Sequence, residues 1–346
     1  MALRFFLGAN TKDGFFSLYP ALRHEPGRRI FAVKGGPGSG KSTCIRALAA
    51  RLGGAEEEIL CSSDPDSLDG AIFPDLALLD GTAPHVFEPE FPGCDGEYLF
   101  LPPPLDPRGL AEKRDALAAL QAAVRAEYAA AYRLLGAAAL TREQRREAVR
   151  PLFPGEKAEK RALGLARRLL SPGSAPSLRL RFLDGITPKG RLFLDDTVTA
   201  CARRIVALED RFGLAQPMLE LLRDQALARD LTVFVCLDPL EPRRVRHLLL
   251  PELSLAFVTD GGDLPASLSP TRTIRVDAML PHETLRPLRS RLRRLEQTER
   301  ALLDEAVDHV ACAHAFHDRI EALFRPHMDF SAAEAQYQTL LGRLRP

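Results

Sequence analysis

The stretch Gly35-Gly36-Pro37-Gly38-Ser39-Gly40-Lys41-Ser42 fits the pattern G-x-x-x-x-G-K-[ST] without a departure, and it constrains the chain more than any other segment. Glycines at these spacings let the backbone turn its N–H groups inward. Together with the amino end of a following helix, those groups make a cradle for phosphate oxygens. The flanking residues supply the required order. Arg29-Ile30-Phe31-Ala32-Val33 is a short apolar run after Pro26-Gly27, the signature of a buried strand. From Ser42 onward, Ile45, Leu48, Ala49 and Leu52 fall on one helical face, with Gly53-Gly54 as the stop. In such a cradle Gly35, Gly36, Pro37, Gly38, Ser39, Gly40, Lys41 and Ser42 hold a nucleotide. Lys41 reaches the β- and γ-phosphates, and the Ser42 hydroxyl binds Mg²⁺. The bland alternative is a glycine-rich turn with a chance lysine, which the strand and helix on either side disfavour.

Downstream, Leu76-Ala77-Leu78-Leu79-Asp80 is an apolar run closing on an aspartate. That is the form of a strand whose carboxylate holds the Mg²⁺ bound by the loop hydroxyl, so Asp80 joins Ser42 as a metal-binding candidate. Gly81 follows it, and the adjacent glutamate with which many ATPases orient water is missing. Asp64, Asp66, Thr82 and His85 are candidates for that work, Asp64 standing with Lys41 and Asp80 as the catalytic set. Glu58 to Ser63 reads as a strand ending in a turn, Asp64-Pro65-Asp66-Ser67-Leu68-Asp69-Gly70. Its carboxylates suit either metal and water positioning or simple turn chemistry.

At 346 residues the chain suggests about two domains. Its net charge of +1 gives no global case for nucleic acid or membrane. Six cysteines without a C-x-x-C pair argue against a disulfide framework or zinc module, and reduced thiols in the cytoplasm are the expectation. No apolar stretch approaches the roughly 18 residues of a membrane span, and the amino-terminal segment is too short for a signal peptide.

Leu3 to Leu7 reads as a strand and Gly14 to Leu22 as a short helix or turn. Pro102-Pro103-Pro104 closes the first sheet region. Leu117, Leu120, Val124, Tyr128, Ala131 and Leu135 then recur on a long amphipathic helix, and Thr141-x-x-Gln144 caps another. To Leu170 the chain is helical and basic, through Lys157, Lys160, Arg161, Arg167 and Arg168. This appendage could form a nucleotide lid, a protein-partner surface or a solvated hairpin.

After a linker at residues 171–177 the second half retraces the first. Thr187-Pro188-Lys189-Gly190 echoes Thr11-Lys12-Asp13-Gly14, and Arg204 to Leu208 stands where Arg29 to Val33 stood. Val233 to Leu237 matches Ile59 to Ser63, and Phe257 to Gly261 matches the Asp80-Gly81 strand. A repeat of this length is a domain duplication. The match puts Asp210-Arg211-Phe212-Gly213-Leu214-Ala215-Gln216-Pro217 under the glycine loop, with Gln216 for the lysine and Pro217 for the serine. Such a loop cannot cradle a triphosphate, so residues 178–346 read as a degenerate, nucleotide-free pseudo-domain beside a nucleotide-binding domain at 1–170. It could donate an arginine, with Arg203, Arg204, Arg211 and Arg243 undistinguished, or serve structure alone. His309, His314 and His317 on the last long helix read as a solvated face.

With the loop, Cys61-Ser62-Ser63-Asp64-Pro65-Asp66-Ser67-Leu68-Asp69-Gly70 and Asp80-Gly81-Thr82-Ala83-Pro84-His85 in view, the chain resembles a family of uncharacterised bacterial tandem P-loop ATPase-like proteins. The likeness runs nearly the full length, to Met328-Asp329. It implies that Lys41, Ser42 and Thr43 are the nucleotide and Mg²⁺ residues. Relatives often keep a lysine loop in the second copy, and its loss here bears against a two-site mechanism.

The expectation is an α/β chain of two tandem three-layer domains of the P-loop NTPase type, with mainly parallel sheets, each followed by long helices. The first binds Mg²⁺ and ATP, or another nucleoside triphosphate, and hydrolyses it slowly to drive a conformational change against the second, an internal pseudo-dimer. A small-molecule kinase and a non-hydrolysing nucleotide-gated scaffold are the alternatives. Strand order distinguishes them in part: an Asp80 strand beside the loop strand marks the kinase–GTPase branch, and one strand removed marks the ATPase branch.

Overall fold

The computed structural model describes residues 2–25, 27–101, 106–330 and 333–344, so Pro26 and the Pro102-Pro103-Pro104 run lie outside the described residues. The first half contains β1 (Leu3–Phe6), β2 (Gly8–Thr11), β3 (Gly14–Ser17), α1 (Tyr19–Leu22), β4 (Arg29–Lys34) and α2 (Lys41–Arg51). It continues through β5 (Glu57–Cys61), β6 (Asp64–Ile72), β7 (Leu76–Asp80), β8 (Gly96–Phe100), α3 (Pro107–Ala111), α4 (Arg114–Val149) and α5 (Gly155–Leu169). The second half contains β9 (Ser177–Arg181), β10 (Asp184–Thr187), β11 (Gly190–Phe193), α6 (Asp195–Cys201), β12 (Arg204–Glu209) and α7 (Gln216–Leu227). It ends with β13 (Thr232–Leu237), β14 (Val245–Leu250), β15 (Leu255–Asp260), β16 (Arg272–Arg275), α8 (His282–Leu285), α9 (Arg289–Phe324) and α10 (Ala333–Leu344).

The duplication read from the sequence is visible in the topology. One six-stranded sheet runs β1-β5-β6-β7-β4-β8, and the other runs β9-β13-β14-β15-β12-β16, strand for strand the same order. In each, the third strand is antiparallel to both neighbours and every other pairing is parallel. Both are mainly parallel α/β sheets followed by long helices, as expected and consistent with tandem P-loop-like domains. β4 and β7 lie inside the first sheet and are buried along almost their whole length, which is why both read as unbroken apolar runs.

Three local expectations are corrected. Gly14 to Leu22 is not one helix or turn: Gly14–Ser17 pairs with β2 as a hairpin, and only Tyr19–Leu22 is helical. Asp64 to Gly70 is not a turn but most of β6, antiparallel to β5 with register shifts at Ile59/Leu60 and Leu60/Cys61. Turn-forming residues are tolerated there because the bulged start of the strand is only partly buried, while Leu68 to Ile72 carry the apolar load. Thr141 starts no helix. Its hydroxyl donates to the Ala137 carbonyl, one turn back inside an unbroken α4.

The two sheets meet edge to edge. Phe6 and Phe182 exchange both backbone N–H···O bonds, each 2.9 Å. Arg181 on β9 reaches back into the first half, gripping Glu57 on β5 in a two-bond fork of 2.6 and 3.0 Å. It also bonds Glu25 at 2.7 Å. The long helices α4 and α9 pack on each other, burying Leu135, Ala138, Ala139, Leu303 and Ala306. The last helix of each half crosses over: α5 packs on α7, and α10 packs on α2. Lys157, Lys160, Arg161, Arg167 and Arg168 lie on the exposed face of α5, while Ala158, Ala162, Leu165 and Ala166 are buried. Among the described residues no helix is long and apolar enough to cross a membrane.

Candidate functional site

The loop between β4 and α2 has the backbone its glycines predict. Gly38 and Gly40 adopt φ of +65° and +84°, conformations that disfavour a side chain, and Lys41 opens α2 directly after Gly40. A Cβ at Gly35 would stand 2.5 Å from the Ser39 hydroxyl oxygen. The Lys41 ammonium folds over the loop, donating to the Gly35 and Gly36 carbonyls at 3.3 and 3.2 Å.

Asp80 is brought to this loop as the sequence predicts. β7 lies directly beside β4 in parallel register, with Asp80 opposite Val33, the last but one residue before the loop. The Asp80 Oδ2 atom stands 3.7 Å from the Lys41 ammonium. Its Oδ1 atom accepts from both the Thr82 amide, at 2.9 Å, and the Thr82 hydroxyl, at 2.6 Å. Burial pushes the Asp80 carboxyl above its ordinary value, while Lys41 and the Thr82 hydrogen bonds pull the other way. The half-buried Asp80 carboxylate, with the Lys41 ammonium beside it, offers an oxygen donor of the kind a hard cation takes. The Ser42 hydroxyl accepts a 2.8 Å bond from the Leu68 amide of β6, which fixes its rotamer, and Thr43 is exposed on the outer side of α2.

The remaining carboxylates divide. Asp64 turns onto its own segment, accepting from the Ser67 hydroxyl at 2.5 Å and the Asp66 amide at 3.3 Å. Asp66 is exposed and pairs with Lys189 across the two halves at 2.6 Å. His85, by contrast, is buried in the first half, with its Nε2 2.9 Å from the Asp69 carboxylate and its ring stacked on Tyr19. Burial disfavours the charged imidazole, but Asp69 outweighs it and holds the His85 pKa above its ordinary value. Asp69 also lies beside Cys61, and the three side chains bring ligand-type atoms within 4.8 Å of one another. From the sequence, Asp69 is read only as one carboxylate of the stretch 64–70, and Cys61 is given no role of its own. The Asp69 charge is also felt at Asp80, so this buried group adjoins the loop chemistry.

One contributor to the site had no sequence signal at all. Glu321, near the end of α9, accepts a 3.2 Å hydrogen bond from the Gly38 amide, so a carboxylate from the second half occupies a donor of the glycine loop. Phe324 and Phe330 lie beside Gly36 and Gly40, 3.8 Å from where a Cβ would stand. The contact comes from a carboxylate rather than an arginine. Arg204 and Arg211 bond within their own half, and Arg203 and Arg243 are exposed. His317 stands 3.6 Å from Glu321, His309 2.6 Å from Glu127 and His314 3.7 Å from Asp318, three separate pairings rather than a shared ligand set.

In the second half, the degenerate loop is closed by its own residue. Asp210 accepts from the Leu214 and Ala215 amides at 2.7 Å each, so a built-in carboxylate takes the donors that a phosphate would need.

No family model matches the chain, and no solved structure matches it. A thymidylate kinase of Afipia carboxidovorans is 39% identical over 82 residues, 23% of this chain and 33% of that protein. The chain thus spans about a third of the length of the curated relative it matches, a likeness to a nucleotide-binding kinase that stops short of the whole protein.

Proposed function

We propose that the first half binds a nucleoside triphosphate, ATP in the first instance, with Mg²⁺ and transfers its γ-phosphoryl group to a small acceptor, as a P-loop protein of the kinase branch. The observation that carries this reading is the placement of β7 directly beside β4, which sets Asp80 against Lys41. The missing glutamate after Asp80 and the partial likeness to a thymidylate kinase support it further. The amides of Gly35 to Ser42 hold the phosphates, Lys41 spans the β- and γ-phosphates, and Ser42 and Asp80 hold the metal. Mg²⁺ would supply neutralisation of the phosphate charge. Asp69 and His85, buried next to Asp80, hold its surroundings fixed. Residues 1–170 are the catalytic domain of this reading, residues 178–346 its nucleotide-free partner, and the reduced thiols suit a cytoplasmic setting.

The test is ADP formation from Mg²⁺ and ATP, with and without nucleoside monophosphates as acceptors. The reading expects turnover only with an acceptor, lost in Lys41→Ala and kept in Gln216→Ala. Steady phosphate release without any acceptor would overturn it in favour of slow hydrolysis coupled to movement of the second half. That second reading has one specific observation behind it: Glu321 holds the Gly38 amide, so a phosphate taking that amide displaces a carboxylate of α9. Binding without turnover of any kind would leave a nucleotide-gated scaffold.

A further inference from the structure

The second half has a cavity of about 130 Å³ at the place where the first half has its glycine loop, bounded by the degenerate loop, the end of β15, and the helices α4 and α9. The internal symmetry makes the correspondence close. In the first half Glu321 of α9 meets Gly38, and in the second Arg146 of α4 lies 3.6 Å from a Cβ position on Gly213. Since α4 and α9 are equivalent helices, a carboxylate on one loop has its counterpart in a guanidinium on the other. The cavity is lined heavily by arginine, and the bookkeeping of its charges is uneven.

The inner arginines are neutralised. Arg142 bonds Asp238 and Glu299, Arg246 bonds Asp238 and stands 3.4 Å from Asp184, and Arg146 forks onto Glu241 at 2.9 and 3.0 Å. These contacts use the best-placed carboxylates of the pocket. The outer arginines are left short. Arg300 has no ion pair among the described residues and is exposed. Arg191 and Arg211 have only partly exposed acids at 3.6 and 3.4 Å. Arg244 bonds the Gly213 carbonyl, with Glu241 as far as 3.9 Å. Burial first, and then the neighbouring Arg146, press the Arg244 pKa below its ordinary value, against the pull of Glu241, Asp238 and Asp210.

We propose that this pocket binds a small phosphate-bearing anion, held by the guanidinium forks of Arg191, Arg211, Arg244 and Arg300 instead of by bare loop amides. With Asp210 already occupying the amides of the degenerate loop, the mode of binding used by an intact glycine loop is closed. Arginine is the residue whose planar donor fork matches phosphate oxygens two at a time, and several such forks converging on one cavity suit a multiply charged group. A solvated arginine surface needs no cavity, whereas the exposed Arg191, Arg211 and Arg300 and the half-buried Arg244 all line one.

The proposal stands apart from the activity of the first half, and its test removes that half's contribution. In the Lys41→Ala chain, inorganic pyrophosphate binding is measured by calorimetry at low salt. One site is expected, weakened about tenfold or more by Arg300→Glu and by Arg191→Glu, the loss of a charge-assisted contact in each. Both substitutions lie on exposed or half-exposed side chains, and unchanged thermal midpoints confirm an intact fold. No binding in the Lys41→Ala chain overturns the proposal. So does binding that is indifferent to both arginine substitutions, which would place the pyrophosphate outside this pocket.

Discussion

Replacing Glu57 by leucine tests how the two halves are held together. Arg181 is fully buried, and its partners Glu57 and Glu25 have side chains only 1% and 5% exposed. Glu57 supplies the two-bond fork and also meets Arg179 at 3.3 Å, while Glu25 is shared with Arg28. After Glu57→Leu, Arg181 and Arg28 are left with one buried carboxylate between them. Removing one member of such a buried set costs about 3–5 kcal/mol, mostly the penalty of an uncompensated charge. For a chain of this size each kcal/mol lowers the midpoint by about 2 °C, so a drop of about 6–10 °C is expected in a thermal melt. Pairing the change with Arg181→Met removes the stranded cation and should restore most of the loss, giving a coupling of about 2 kcal/mol or more in denaturant titrations. A Glu57→Leu single variant within about 1 kcal/mol of wild type refutes the argument. Glu25 adds a pH signature. Burial alone would raise its pKa, but Arg181 and Arg28 hold it below the ordinary 4.5. A depressed acid contributes stability that is present above pH 4.5 and lost as pH falls through the folded value, so Glu25→Gln flattens the acid limb of the stability curve.

Other expectations are briefer. Asp80→Asn keeps nucleotide binding in the absence of metal but loses Mg²⁺-dependent turnover by about a hundredfold or more, read by product formation across a Mg²⁺ series. Glu321→Ala frees the Gly38 amide and removes a negative charge facing the phosphates, so nucleotide binding tightens several-fold by calorimetry; weaker binding would show that Glu321 helps instead. Burial, with the nearby Asp210 and Glu209, pushes the Asp277 carboxyl up to about 7. A raised acid stabilises the fold below its unfolded pKa and loses that contribution as pH rises through 7. Asp277→Asn should therefore remove on the order of 1–2 kcal/mol of pH dependence between about pH 4 and 7 in denaturant titrations.

The parts of the fold that were legible in the sequence are those governed by local chemistry. The strand, glycine loop and helix around Lys41 could be read because each position needs a residue type that the chain supplies. The duplication could be read because equivalent strands kept their apolar runs, down to Thr11 and Thr187, whose hydroxyls each donate to the glycine carbonyl three residues on. β6 could not. Its Asp, Pro and Gly residues favour turns, and only the sheet on both sides makes a strand of them. Gly70 is present because a Cβ there would stand 2.9 Å from the Leu78 carbonyl, a constraint imposed by a neighbour in space. The approach of Glu321 to Gly38 joins residues nearly three hundred positions apart and leaves no periodicity to read. The meeting of Cys61, Asp69 and His85 is likewise made in space, although the stretches that hold them could be read.

The crossing of the terminal helices bears on where such a chain comes from and how it can be divided. α5 leaves the first half to cover α7, and α10 returns from the second to cover α2, where Arg51 lies over the Tyr337 ring at 5.5 Å. This is the reciprocal arm exchange of a domain-swapped homodimer, with the two copies joined end to end in one polypeptide. A fused dimer has freedoms that a true one lacks. Its copies can differ, and one lacks the lysine loop while keeping the geometry that its twin leans on. It also has a constraint: neither copy carries its own outer helix, so a chain severed between α5 and β9 yields fragments that become whole only by finding each other again.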